Sequence, residues 1–195
     1  MQFLVKPVKT AALASIADDI RRQVFEREWC VPLAGTGTTE SGNSQTFLAT
    51  TPFHEPVGVV TAVDSTGDRL MRENLGLGKQ SVRLARYSQL AVLKPYRGMH
   101  VPLKLLIEAR ADFVVPEKFD YSCLLFDATR APSSSYCAML GFRPSPQTVR
   151  SCQGPCRILF RCETAPSSDL RDKYAGQYLE VLAALASLDG HAKAA

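Results

Sequence analysis

The stretch Ala85-Arg86-Tyr87-Ser88-Gln89-Leu90-Ala91-Val92-Leu93-Lys94-Pro95-Tyr96-Arg97-Gly98-Met99-His100-Val101-Pro102-Leu103-Lys104-Leu105-Leu106-Ile107-Glu108-Ala109 decides the fold. It reads as strand, tight turn and helix. Tyr87, Leu90, Val92 and Leu93 suit an extended segment, and Lys94-Pro95 ends it. Arg97-Gly98 turns the backbone, after which Val101, Leu105, Ile107 and Ala109 place apolar groups at helical spacing. A helix opened this way directs unpaired backbone N–H groups and the positive end of its dipole toward the turn, which is an arrangement that binds anions. Phosphate is the expected anion.

Outward from this unit, strands and helices alternate. Residues 3–8 read as a strand and 11–29 as one or two helices. Residues 33–45, rich in Gly, Thr and Ser, read as a loop. Residues 46–50 and 57–63 have the spacing of a hairpin joined through 52–56. A short helix is expected within 66–75, a strand at 120–126, a helix around 134–140 ended by Gly141, and a last strand at 157–162. Residues 168–188 read as a strongly helical tail, capped by Ser168 and stopped near Gly190. The expected fold class is α/β (α+β), a mixed sheet flanked by helices.

The chain has 195 residues, 46% hydrophobic and 22% charged, which suits a soluble globular protein with one sizeable core. No apolar run is long enough to span a membrane, and none opens the chain as a secretory leader would, so a cytoplasmic protein is expected. A formal charge of +4 is too small to argue for nucleic acid, which requires a clustered basic face. Arg83, Arg86, Lys94, Arg97 and Lys104 are expected near the phosphate turn, where they would suit an acidic ligand. The six cysteines read as free thiols. Cys152, Cys156 and Cys162 lack a paired C-x-x-C and a nearby histidine, so no metal is expected, and Cys123 lies in an apolar strand where a thiol packs.

Leu90-Ala91-Val92 followed by Pro95-Tyr96-Arg97-Gly98 resembles the acyl-thioester-binding motif of the GNAT acyltransferases, in which a strand ends, an Arg/Gln-x-x-Gly-x-Gly/Ala loop holds pyrophosphate and a helix follows. Ile20-Arg21-Arg22-Gln23-Val24-Phe25 through Trp29, Val31 and Pro32 is similar to the family's opening helix. Ala138-Met139-Leu140-Gly141-Phe142 resembles its late helix-to-strand junction. The resemblance covers residues 1–163 and implies the acyl-CoA N-acyltransferase fold with a mostly antiparallel sheet, residues 164–195 being a helical extension of the same domain.

The resemblance implies transfer of an acyl group from a pantetheine thioester, acetyl-CoA or another acyl-CoA, to an amine of a small molecule or peptide. Backbone groups of Leu90, Ala91, Val92 and Leu93 would contact the pantetheine arm and thioester carbonyl. Arg97, Gly98, Met99, His100 and Val101 would hold phosphate. Two positions depart from the loop pattern. Where the family has small residues stand His100 and Pro102, and proline removes an N–H donor while still suiting a first helical turn. The family's leaving-group acid is a tyrosine in Tyr-x-x-x-Gly-Phe; counting back from Gly141-Phe142 gives Cys137, with Tyr136 one residue earlier. Either residue, or neither, could protonate the departing thiolate. No general base stands on the central strand, and His54, Glu55 and Asp127 are candidates by polarity and position alone.

Three readings follow: an acyl-CoA N-acyltransferase; an acyltransferase taking its acyl group from phosphopantetheine on an acyl carrier protein, as autoinducer synthases and N-acyl amino acid synthases do; and a non-catalytic thioester-binding module. Phe25, Trp29 and the altered phosphate loop suit the second, because a carrier-bound arm presents one phosphate. Against it, those relatives carry an acidic residue and an arginine where Arg86 and Gln89 stand. The acceptor's identity and the oligomeric state are left open.

Overall fold

In a computed structural model, residues 3–33, 43–78, 81–127, 137, 140–151 and 154–163 are described. They all belong to a compact unit that ends at Glu163, and the expected tail helix over 168–188 lies outside them. Seven strands form one sheet: β1 (Leu4–Pro7), β2 (Ser44–Thr50), β3 (Pro56–Asp64), β4 (Leu84–Val92), β5 (Tyr121–Asp127), β6 (Arg143–Ser151) and β7 (Gly154–Cys162). Their spatial order is β1-β2-β3-β4-β5-β7-β6. Only β4 and β5 run parallel, because the helix between them carries the chain back to its starting side; every other neighbouring pair is antiparallel.

Helix α1 (Ala11–Arg21) opens on Thr10, whose hydroxyl accepts from the Leu13 N–H at 3.3 Å, and then widens into π-helical turns over Arg22–Glu28. Ala17, Ile20 and Val24 bury against Leu48, Val59 and Ala91, one from each of β2, β3 and β4. Within that apolar contact lies one buried cation. The Arg21 guanidinium bonds Asp18 at 2.7 Å, Thr61 at 2.6 Å and Thr46 at 3.2 Å, and burial outweighs the pull of Asp18 to lower its pKa. The short α2 (Arg69–Asn74) is capped by Asp68 and sets Met71 against Leu84, Cys123 and Ile158.

Successive residues of a strand face opposite sides of its sheet. Val59 meets α1, so Gly58 faces the other way, toward α3 (Val101–Ala109). A Cβ on Gly58 would lie 3.0 Å from Val101 Cγ1 and 3.2 Å from both the Ala91 oxygen and Val92 Cγ2. Only glycine lets the first turn of α3 approach β3 and β4 this closely. Val101, Leu103, Leu105, Leu106 and Ala109 are buried there, and the helix continues as a π-helical turn over Arg110–Val114.

Most expected elements are present with edges moved by a few residues. β2 begins at Ser44, inside the stretch read as a loop, and residues 34–42 of that stretch lie outside the description. β6 follows the helix-to-strand junction that the resemblance implies at residues 138–142, although its own residues carry no strand reading. Its prolines, Pro144 and Pro146, stand on the outermost strand, where a proline without N–H costs the ladder little, and its pairing with β7 shifts register between Pro144 and Thr148. Of the helix expected around 134–140, Cys137 is described as helical. Its end fits the sequence reading, with Gly141 at φ 79° and the Phe142 N–H donating to the Cys137 oxygen at 3.0 Å.

Candidate functional site

β4 has two halves with different surroundings. From Leu84 to Tyr87 it pairs with β5 through Leu84↔Tyr121, Ala85↔Ser122, Arg86↔Cys123 and Tyr87↔Leu124. The parallel pairing stops there, although β4 runs on to Val92 and β5 to Asp127. A bulge follows. Thr61 of β3 faces Ser88 and Val59 faces Ala91, so Gln89 and Leu90 together oppose Val60, and Gln89 takes a left-handed φ of 53°. The extra residue lies just past the last β4–β5 pair, and beyond it the two strands part, leaving a gap with its vertex at Tyr87.

Alternation along the strand settles which backbone groups face the gap. The Leu93 N–H donates to Val57 of β3 at 3.0 Å, so the N–H and C=O of Val92 point away from β3. Of the residues read as donor contacts, Val92 therefore presents its N–H and C=O to the opened edge, Ala91 and Leu93 turn theirs toward β3, and Leu90 belongs to the bulge. Beyond them a short 3-10 turn (Lys94–Tyr96), Arg97 and Gly98 (φ 88°) lead to His100, a left-handed N-cap at φ 59°. The first turn bond of α3 runs from Lys104 N–H to His100 oxygen at 3.0 Å. The N–H groups of Val101 and Leu103 precede it, and Pro102 between them has none. Gap and helix N-terminus thus adjoin, as the strand-turn-helix reading requires.

Arg97 is placed otherwise than a free phosphate ligand would be. Its Nε donates to the Val92 oxygen at 2.8 Å, its Nη2 pairs with Glu28 Oε2 at 2.6 Å, and its guanidinium lies 5.7 Å from the Trp29 ring centroid. The other expected cations divide. Lys104 pairs with Glu108 at 2.8 Å, one turn along α3. Arg83 and Arg86 stand at the far end of β4, where Arg83 binds Asp64 and the Glu117 oxygen and Arg86 meets Asp68 at 3.5 Å. They are not part of the phosphate turn, and the basic cluster expected there is corrected to Lys94, Arg97 and Lys104.

No protein-family model matches the sequence, and no curated protein does. Solved structures do match it. An N-acyl amino acid synthase, FeeM, from uncultured soil microbes superposes with a TM-score of 0.68 at 13% identity, covering 83% of this chain and 91% of that one. An acyl-CoA N-acyltransferase from Pseudomonas aeruginosa matches with TM-score 0.59 and 14% identity over 83% of this chain and 99% of that one. NAA60 from Arabidopsis thaliana, solved in complex with acetyl-CoA, matches with TM-score 0.59 and 14% identity over 84% of this chain and all (100%) of its own. The fold is that of the GNAT acyltransferases. Identities this low establish the architecture, and the chemistry must be argued from this chain's own residues.

Within the GNAT fold, the vertex of the gap carries Tyr87 on one face and Arg86 and Ser88 on the other. The Tyr87 hydroxyl is buried, which drives its pKa far up. Nearby, Glu163 closes a buried network: Arg110 Nε reaches it at 2.7 Å, Ser122 Oγ at 2.5 Å and Arg161 Nε at 3.7 Å. Arg161 also donates to the Leu140 oxygen at 2.5 Å, tying the end of the Cys137 helix to β7. Cys137 itself is buried, and Tyr136 lies outside the described residues. Of the three polar residues weighed as bases, His54 occupies the exposed β2–β3 turn at φ 65°, Glu55 accepts from the Tyr96 hydroxyl at 3.2 Å, and Asp127 ends β5. Among the described residues no cluster suits a metal ion, and no helix is long and apolar enough to cross a membrane.

Sequence reading missed Gln89, Glu28 and Glu163. A glutamine in a left-handed conformation gives no signal, because the neighbouring strands impose it. Glu28 and Glu163 act through partners 69 and 53 residues away, beyond the reach of local spacing.

Proposed function

We propose that this chain is an N-acyltransferase that moves an acyl group from a pantetheine thioester to the amine of a small molecule or peptide. The observation that carries the reading is the gap at the Gln89 bulge, whose edge leads directly to the N-terminus of α3. A pantetheine arm laid along Leu90–Val92 would continue the sheet through the Val92 N–H, with its phosphate at the α3 terminus and its thioester at the vertex. There the amine nitrogen attacks the carbonyl carbon, the C–N bond forms and the C–S bond breaks. The nitrogen loses a proton and the sulfur leaves as thiolate, taking one up. No general base is assigned, so the amine enters neutral and, after attack, loses its proton to water.

Tyr136 and Cys137 remain the candidates for the acid. Burial of Cys137 favours a packing role for the thiol and leaves Tyr136 as the better donor. Tyr136→Phe should lower turnover by about 100-fold with donor binding kept, and Cys137→Ser should change stability more than rate.

The donor is acetyl-CoA or another acyl-CoA in the simplest reading. Two features favour the phosphopantetheine arm of an acyl carrier protein instead: Pro102 removes one N–H from the phosphate site, and Glu28 balances the charge of Arg97. Acetyl-CoA, a long-chain acyl-CoA and acylated carrier protein, each incubated with a panel of amines, should separate these when acyl-amine and free thiol are measured by mass. No product with any donor, together with donor-dependent thermal stabilisation, would establish the non-catalytic binding module.

A further inference from the structure

Between the 3-10 turn and α3, Arg97 is the one permanently charged side chain, and it is held from two sides. Glu28 closes that hold at 2.6 Å, brought under the turn because it ends the π-helical widening of the first helix. The pair is only part exposed, with side-chain exposures of 35% and 24%. A guanidinium already neutralised by a carboxylate offers little net field to a further anion, and the carboxylate repels that anion in proportion to its charge. Pro102 weakens the same site by withholding an N–H. Coenzyme A brings a diphosphate and a 3′-phosphate to this turn, whereas a carrier-borne pantetheine arm brings a single phosphodiester.

We propose that Glu28 is a specificity-determining residue for the donor, which through its ion pair with Arg97 disfavours the multiply charged coenzyme A and leaves single-phosphate phosphopantetheine as the preferred arm. The assignment rests on the acyl-thioester reading and adds to it the residue that chooses between its two donor classes. Glu28 touches neither the thioester nor the amine. It acts through Arg97, whose remaining N–H groups would meet the phosphate.

Calorimetric titration of the full chain with coenzyme A and with 4′-phosphopantetheine tests this without requiring turnover. Glu28→Gln preserves the side chain's shape and its hydrogen bond to Arg97 while removing the charge. It should tighten coenzyme A by about tenfold, the scale of one charge acting on neighbouring phosphates at a part-exposed site, and 4′-phosphopantetheine by less than about threefold. In an Arg97→Gln background the gain for coenzyme A should shrink, since coupled residues are non-additive. The parent protein supplies a second readout: its preference for 4′-phosphopantetheine should narrow as salt rises. Equal gains for the two ligands, or weaker binding of coenzyme A by Glu28→Gln, would overturn the assignment and make Glu28 a support for Arg97. Failure of every variant to bind either ligand would overturn the acyl-thioester reading as well.

Discussion

The two halves of β4 differ in what holds them, and the difference separates stability from function within one strand. The first half is flanked on both sides by paired strands and lies beside ion pairs: Arg83 with Asp64 and Glu117, Arg86 with Asp68, and the buried Glu163 among Arg110, Arg161 and Ser122. The second half keeps β3 and loses β5, so its outer edge must be satisfied by something other than a strand. One of its groups, the Val92 oxygen, is met by Arg97. A rigid strand root with an open tip is how a sheet offers backbone donors to a ligand without becoming an aggregation edge.

The largest effect should come from breaking the root. Glu163 is 3% exposed, between Arg110 and Arg161, so removing its charge leaves two largely buried cations without their shared partner. Glu163→Gln should cost about 3–5 kcal/mol, as loss of one member of a buried ion pair does. Chemical denaturation measures it, and a loss below 1 kcal/mol would show that the network is solvated. At the tip, Gln89→Val should cost about 1–3 kcal/mol, since a β-branched residue resists a left-handed φ. Its sharper readout is binding: if the bulge makes the gap, the variant that survives should lose affinity for 4′-phosphopantetheine by more than its stability changes at the assay temperature explain.

The root was largely legible in the sequence and the tip only in part. Val57, Val59, Tyr87 and Cys123 announce strands because apolar β-formers alternate or run together there, and helix α3 follows from Val101, Leu105 and Ala109. The turn at Arg97-Gly98 was legible from glycine, and the φ of 88° at Gly98 is the conformation that glycine permits. Gln89 was not, since its conformation is set by registers with β3 that no local pattern encodes. Long-range charge pairing is equally silent: nothing in the sequence around Arg97 announces Glu28 as its partner. Cys137 shows the limit from the other side, because counting along a motif located the residue but not whether its thiol faces a substrate or the core.

The smallest expected effect concerns the ionic side of the root and depends on pH. Asp64 takes the Thr66 N–H at 2.9 Å and Arg83 Nη2 at 3.2 Å. Burial raises its pKa, but hydrogen bonds from Thr66 and the bond and charge of Arg83 outweigh that and hold the carboxyl below its usual range. A carboxylate whose folded pKa is depressed stabilises the protein fully above its unfolded pKa of about 3.9 and loses that contribution as pH falls through the folded value. Arg83 is 41% exposed, so the increment is screened and should stay below about 1 kcal/mol. Asp64→Asn should therefore lower the denaturation midpoint slightly at pH 7 and lose less stability than the parent between about pH 5 and pH 3, the two curves converging in acid. Parallel curves would mean that the Arg83 guanidinium is held by Glu117 and the Phe119 ring without help from Asp64. Affinity for 4′-phosphopantetheine at pH 7 should be the same in both proteins, because the ion pair lies at the opposite end of β4 from the turn that would bind it.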